Sequence, residues 1–219
     1  MIEPLTDAVI HDVENPVDER FFAVAASPEP GRVLCVGWIS ERKNTLGAVE
    51  AIAHIVRRGI AAKLVIAGVA DDAVYGRKVQ EAVTNLGLGR QVEFLGHVAH
   101  DELPQELCRA SMMLLPSLQE NAPMAIAEAM AAGVPVVASN RCGMPYMISD
   151  GETGLLVEPD DVDSIAAQTG KLLVRRGLRD AMSKNAKEDA LSRFHPDAVA
   201  RKTAAVYEQV AKSSRGVKL

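Results

Sequence analysis

The chain has 219 residues, of which 48% are hydrophobic and 24% charged, and its formal net charge is −5. This balance excludes a disordered chain and argues against nucleic acid as a partner. No apolar run reaches the roughly 18 residues of a membrane-spanning helix, so no transmembrane segment is predicted. The three cysteines form no disulfide framework or metal-ligand pair, and reduced thiols are expected.

Short apolar runs alternate with amphipathic stretches along most of the chain. In chain order they predict strand 32–37, helix 46–56, strand 63–68, helix 73–86, strand 91–95, helix 101–109, strand 111–115, helix 123–132, strands 134–138 and 154–157, and helices 161–174, 176–190 and 196–212. The strands are continuously apolar, as in sheets covered on both faces. The prediction is an α/β fold: a Rossmann-like parallel sheet of about six strands with helices on both faces and a helical C-terminal segment.

The chain divides into three predicted parts. Residues 1–28 are proline-rich and resemble a linker, residues 29–190 hold the sheet, and residues 191–219 form a last helix and a polar tail. Three strands end at Gly37, Gly68 and Gly96. Ligands of open α/β sheets bind outside the carboxyl ends of the strands, so these glycines mark the expected ligand edge.

The segment 114–138 reads LLPSLQENAPMAIAEAMAAGVPVVA and carries Glu120 in a strand-to-helix loop and Glu128 two turns into the helix. Eight helical residues rise about 12 Å, a plausible span from a sugar across a diphosphate to a ribose. The helix start offers backbone N–H groups to an anion. The structural alternatives are a helix cap at Glu120 and a solvated helix residue at Glu128.

A second candidate site is the loop GWISERKN, which follows the first strand and opens the first helix. Arg42 and Lys43 oppose the helix dipole there, and therefore suggest a bound anion such as a diphosphate. The alternative is a solvated cation pair on a surface loop.

These residues resemble the C-terminal half of the family 4, or "group 1", retaining glycosyltransferases of GT-B fold. Glu128–Val137 reads EAMAAGVPVV and matches the family's E-A-M-A-x-G-x-P-V-V. Phe94–Val98 resembles its F-L-G-x-V, and Asp150–Val157 its D-G-x-T-G-L-L-V. Arg42–Asn44 resembles a variant of its P-R-K-N segment, and the resemblance runs from about residue 15 to residue 210.

The resemblance implies transfer of a sugar from a UDP- or GDP-linked donor with retention, without an obligatory cofactor or a metal ligand. Glu128 would bind the ribose hydroxyls, Glu120 the donor sugar near the reacting centre, and Arg42 and Lys43 the departing diphosphate. The other expected donor-binding residues are Gly37, Trp38, Gly68, His97, Val98, Asn121, Ala122, Pro123 and Met124. Among these, the main chain at 97–98 would hold the base, and N–H groups at 122–124 the sugar or phosphate.

The resemblance also implies partners. Family members carry an N-terminal acceptor-binding domain, so we expect it as a missing domain or a separate subunit, with a glycan or lipid-linked acceptor. A cytoplasmic location is expected, with attachment to the membrane surface open for the full-length enzyme. A non-catalytic nucleotide-binding or docking module stays open as the alternative, because it would keep the same pocket.

Three positions depart from the family pattern. Trp38 stands where many members have arginine, and Cys142 and Tyr146 replace a glycine and a glutamate after the fifth strand. They leave the donor sugar undetermined. Asp161 and Asp163 mimic a D-x-D metal motif, but they open a helix and are interpreted as its cap.

Overall fold

The computed structural model describes residues 9–215; Pro4 of the predicted linker-like segment and the end of the polar tail lie outside this range. The strands are β1 (Arg32–Val36), β2 (Lys63–Ala67), β3 (Val92–Gly96), β4 (Met112–Leu115), β5 (Val136–Ser139) and β6 (Gly154–Val157). The helices are α1 (Glu19–Phe22), α2 (Thr45–Arg57), α3 (Ala73–Asn85), α4 (Leu103–Arg109), α5 (Met124–Ala131), α6 (Met144–Met147), α7 (Val162–Val174), α8 (Arg176–Arg193) and α9 (Pro196–Arg215).

The six strands form one sheet in the order β3-β2-β1-β4-β5-β6. Every pairing between neighbouring strands is parallel. This is the doubly wound order in which the strand sequence reverses next to the first strand. The predicted Rossmann-like sheet and the helical C-terminal segment are confirmed.

Two apolar layers cover the two faces of the sheet, because successive strand side chains point to opposite sides. In β1, Val33 packs with buried residues of α2, α3 and α7 on one face. Leu34 packs with α1, α4, α5 and α8 on the other face. Helices therefore cover both faces of the sheet, and the loops that follow the strands meet at its carboxyl edge.

Two short helices, α1 and α6, were not predicted. Helix α1 lies in the linker-like segment 1–28, where Asp18 caps it by accepting a hydrogen bond from the Arg20 N–H. Val17 and Phe21 are buried in the layer that contains α5, and the Val17 N–H donates to the Phe194 carbonyl at 2.9 Å. This part of the segment is therefore packed against the sheet domain.

Within residues 9–215, no helix has the length and apolar character needed to cross a bilayer.

Candidate functional site

The crevice between β1 and β4 is the point where the strand order reverses. Loops that leave the sheet at such a point run to opposite sides, which opens a cleft at the carboxyl edge. The β1–α2 loop carries Arg42 and Lys43, and the β4–α5 loop carries Glu120. The two loops are joined by a hydrogen bond of 2.8 Å from the Leu118 N–H to the Arg42 carbonyl.

An ion cluster closes this crevice. Oxygen Oε1 of Glu120 lies 2.6 Å from Nη1 of Arg42 and 2.6 Å from Nζ of Lys43. The side chains of Lys43 and Glu120 are 14% and 12% exposed, whereas that of Arg42 is 49% exposed. The predicted alternative of a solvated cation pair is therefore wrong for Lys43. Two cations share a single carboxylate oxygen, at the place where the sequence predicts a diphosphate.

The cation-bearing loop is held in shape by Asn44, which has a left-handed backbone with φ of 53°. Its side chain caps α2 by accepting from the Gly47 N–H, and it donates to the Pro159 carbonyl at 2.7 Å. Asparagine tolerates this conformation better than most residues. Behind the loop, Gly68 lies so close to the Gly37 carbonyl that a Cβ at Gly68 would overlap it.

Helix α5 begins at the same edge without a side-chain cap, and no acidic residue stands in its first turn. The Ile126 N–H donates to the Pro123 carbonyl at 3.0 Å, whereas no side chain among the described residues accepts from the N–H groups before it. Those groups can donate to an anion, which the helix dipole also favours there. The loop before α5 is fixed by Gly143, whose N–H donates to the Glu120 carbonyl at 2.8 Å. A Cβ on Gly143 would overlap the carbonyl of Asn121, so the close approach requires glycine.

Glu128 lies on α5 and is 7% exposed. Its Oε1 is 2.9 Å from Nε2 of His100, in the loop that follows β3. The alternative of a solvated helix residue at Glu128 is wrong, and so is the alternative of a cap at Glu120, since Pro123 occupies the cap position of α5. Both carboxylates instead face the carboxyl edge in paired, largely buried positions.

The remaining predicted residues lie along the same edge without entering the ion cluster. Trp38 follows β1 and is 54% exposed, His97 is exposed after β3, and Val98 is partly buried against the α5 layer. Asn121, Ala122 and Met124 border a cavity of about 540 Å³ that also touches Tyr146 and Arg193. The residues that carry the predicted charge chemistry do not line this cavity: Arg42, Lys43, Glu120 and Glu128. The cavity therefore lies beside the predicted site, on the side of α6 and α8.

Cysteine chemistry is not supported at the crevice. The Cys35 thiol donates to the Leu114 carbonyl at 3.1 Å, and burial raises its pKa to about 12. The thiol therefore stays protonated at neutral pH. Cys142 is exposed and has a left-handed backbone with φ of 54°, the conformation that a glycine adopts most easily.

Within the described range 9–215, no group of three His, Cys, Asp or Glu side chains is placed to hold a metal ion. Asp161 caps α7 by accepting from the N–H groups of Asp163 and Ser164, which is the role that the sequence predicted.

Sequence reasoning missed His100 and Phe21 as parts of the site. The ring of His100 contacts that of Phe21 at a centroid distance of 5.1 Å. The one signal was position, since His100 follows Gly96 by four residues at the ligand edge. The pairing itself could not be foreseen, because β3 and β4 are separated by β2 and β1 in the sheet.

Known proteins share both the sequence pattern and the fold of this chain. The family model for glycosyl transferases group 1 matches residues 17–189. A GDP-mannose-dependent alpha-(1-6)-phosphatidylinositol monomannoside mannosyltransferase of Mycobacterium tuberculosis is 32% identical over 179 residues, which cover 78% of this chain and 46% of that protein. The chain spans about half the length of the curated relatives it matches.

Two solved structures share the fold. Anabaena Alr3699/HepE in complex with UDP superposes with a TM-score of 0.79 at 22% identity, over 91% of this chain and 57% of that chain. The C-terminal domain of a glycosyl transferase group 1 family protein (LpcC) from Francisella tularensis superposes with a TM-score of 0.71 at 24% identity. That match covers 84% of this chain and 97% of the LpcC domain.

Proposed function

Since the chain belongs to the group 1 glycosyltransferases, we propose that it is the donor-binding half of a retaining glycosyltransferase. The reaction is transfer of a sugar from a nucleotide-diphosphate sugar to an acceptor, with the anomeric configuration retained. The anomeric carbon exchanges its bond to the diphosphate oxygen for a bond to an acceptor oxygen on the same face. The acceptor's proton leaves with the diphosphate.

The observation that carries this proposal is the ion cluster at the β1–β4 crevice. Lys43 and Arg42 converge on one oxygen of Glu120, next to the uncapped start of α5. Fixed cations and aligned N–H groups stabilise negative charge that builds up on a departing diphosphate. In the proposed donor complex, Lys43 and Arg42 turn to the diphosphate and release Glu120 to the donor sugar.

The rest of the donor follows the edge of the sheet. Glu128 binds the ribose hydroxyls, and the main chain at His97–Val98 holds the base. The backbone N–H groups of Ala122 and Met124 bind the sugar or a phosphate, and Pro123 between them has no N–H to donate. Trp38 and the glycines at 37 and 68 line the crevice. The buried position of Glu128 supports this role, since a largely desolvated carboxylate gains most from a hydroxyl donor.

The donor is UDP- or GDP-linked. One similar protein supports each nucleotide. The HepE structure contains UDP, and the mycobacterial mannosyltransferase is named as GDP-mannose-dependent. The acceptor, a glycan or lipid-linked molecule, is bound by an N-terminal domain or subunit that completes the active site. Exposed Trp38 and Tyr146 lie at the edge that this partner would cover.

The test is calorimetric titration of the chain with UDP, GDP and ADP without added metal. We expect saturable binding of UDP or GDP, and a loss of roughly 1–3 kcal/mol in Glu128→Ala, the cost of leaving a buried hydrogen-bonding group without its partner. The matched control is Glu81→Ala, an exposed glutamate on α3, which should keep the full affinity. Equal affinity in Glu128→Ala and Glu81→Ala would remove the ribose role.

A further inference from the structure

We infer that His100 is the positioning residue that orients the Glu128 carboxylate for the ribose hydroxyls of the nucleotide. This inference rests on the proposed function, because it assigns His100 a role at the same donor site. It adds a side chain from the β3–α4 loop, whose main chain at His97–Val98 is already proposed to hold the base.

The contact between the two side chains has a defined direction. Nε2 of His100 lies 2.9 Å from Oε1 of Glu128, and an ionised carboxylate only accepts hydrogen bonds. Nε2 must therefore carry the hydrogen. Among the described residues, His100 is the only side chain that hydrogen-bonds this carboxylate, and Oε2 accepts no bond from them. One oxygen is thus held by the protein while the other is left for a ligand.

His100 is itself held in place from two sides. A turn fixes its backbone, since the N–H groups of Glu102 and Leu103 donate to the Ala99 carbonyl and the Ala99 N–H donates to Oε2 of Glu102. The imidazole also packs against the ring of Phe21, a residue of α1 that is fully buried. The contact therefore links three segments, namely α1, the β3–α4 loop and α5.

Such support matters for a glutamate because its side chain has three rotatable bonds. Immobilising a side chain of this kind on binding weakens the complex by about 0.5–1.5 kcal/mol, which corresponds to roughly two- to tenfold in affinity. The His100 contact removes this entropy loss before the nucleotide arrives. His100 need not touch the nucleotide for this effect, so its contribution should depend on Glu128 and on the ribose hydroxyls.

The experiment compares UDP and GDP with their 2′,3′-dideoxy forms, titrated into the chain and its variants. In His100→Ala we expect two- to tenfold weaker binding of whichever ribonucleotide binds, and no change for its dideoxy form. His100→Gln, which places an N–H donor at a similar reach, should recover most of the affinity. In the Glu128→Ala background, His100→Ala should have no further effect.

The matched control is His54→Ala, which breaks another histidine–carboxylate pair, between His54 and Asp163 at 3.0 Å. It should leave the preference for ribose over dideoxyribose unchanged. A purely structural role for His100 would instead lower the melting temperature and weaken both nucleotide forms alike.

The outcomes separate the two proposals. If Glu128→Ala loses the preference for ribose while His100→Ala keeps it, the role of His100 is overturned and the donor site stands. If His100→Ala binds more tightly, His100 is a competitor of the ribose and the inference fails. If the unmodified chain binds neither nucleotide, both proposals fail. If it binds a nucleotide and its dideoxy form equally well, the ribose role of Glu128 and the role of His100 fail, while the donor site stands.

Discussion

The two ends of β1 each carry an ion cluster, but the clusters differ in charge balance. At the amino end, Arg32 is 1% exposed and pairs with Glu106 and Glu29. Beyond the carboxyl end, the less exposed of the two cations is Lys43, which pairs with Glu120. A cation thus lies at each end of β1: Arg32 begins the strand, and Lys43 lies in the loop that follows it.

At the amino end, Arg32 and Arg109 each pair with Glu29 and Glu106, and a separate ion pair joins Lys63 and Glu93, so cations and carboxylates are equal in number. At the carboxyl end, two cations meet one carboxylate oxygen. A balanced cluster has no charge left for a ligand, whereas an unbalanced one attracts an anion. We therefore expect substitutions at the amino end to change stability and substitutions at the carboxyl end to change nucleotide binding.

The largest effect is expected at the amino end. Arg32→Met should lower the free energy of unfolding by about 3 kcal/mol, because it removes the buried partner of Glu106 and leaves that mostly buried carboxylate with only the 3.4 Å contact to the half-exposed Arg109. Urea denaturation measures the change. The double variant Arg32→Met with Glu106→Leu should recover most of the loss, since Nε and Nη1 of Arg32 have no hydrogen-bond partner among the described residues. Nucleotide affinity should stay the same in both variants.

At the carboxyl end the effects should reverse. Lys43→Ala should weaken binding of UDP or GDP by about 1.5–3 kcal/mol, the range for a hydrogen bond to a charged group. The free energy of unfolding should change by less than the binding free energy.

Arg42→Ala should lose less affinity than Lys43→Ala, because Arg42 is half exposed and solvent screens its charge. Calorimetry with the nucleoside as well as the diphosphate is the check, and equal losses for both would contradict contact with the diphosphate.

The smallest change in affinity is expected at Glu120, where it depends directly on the excess of cations. Glu120→Gln should tighten binding of the free nucleoside diphosphate by about 0.5–1 kcal/mol, because the two cations then lose the carboxylate that competes with the ligand. Glu106→Gln, the matched change at the amino end, should leave the nucleotide affinity unchanged and lower stability. Weaker binding in Glu120→Gln would mean that Glu120 contacts the nucleotide itself.

Much of this architecture was predictable because local patterns determine it. Continuous apolar strands ending in glycine gave the parallel sheet and its ligand edge, and EAMAAGVPVV placed Glu128 on a helix beside that edge. The side of the sheet on which a residue ends is also local, since it follows from the strand direction. The sequence therefore placed Glu120, Arg42 and Lys43 correctly at the carboxyl edge, although it did not predict that the two cations pair with Glu120.

The rest depends on contacts between distant segments. Arg32 begins an apolar run, but its burial depends on Glu106, which lies 74 residues further along the chain. The His100–Glu128 pair requires the β3–α4 loop to pass β2 and β1, and no spacing rule encodes that path. Cys142 was identified as replacing a glycine, yet only the backbone angle reveals that it keeps the glycine conformation.

The position of β1 in the sheet also bears on how the chain folds. Val33 and Leu34 pair with Met112 and Met113, and the ion pair above this seam joins residues 78 apart in sequence. Closing such a distance is slow compared with local helix formation. During synthesis, β1 and β2 can pair early, while the other edge of β1 stays open until β4 leaves the ribosome. An open apolar strand edge promotes aggregation. The seam beneath the candidate site is therefore also an edge at which a nascent chain is exposed to misassembly.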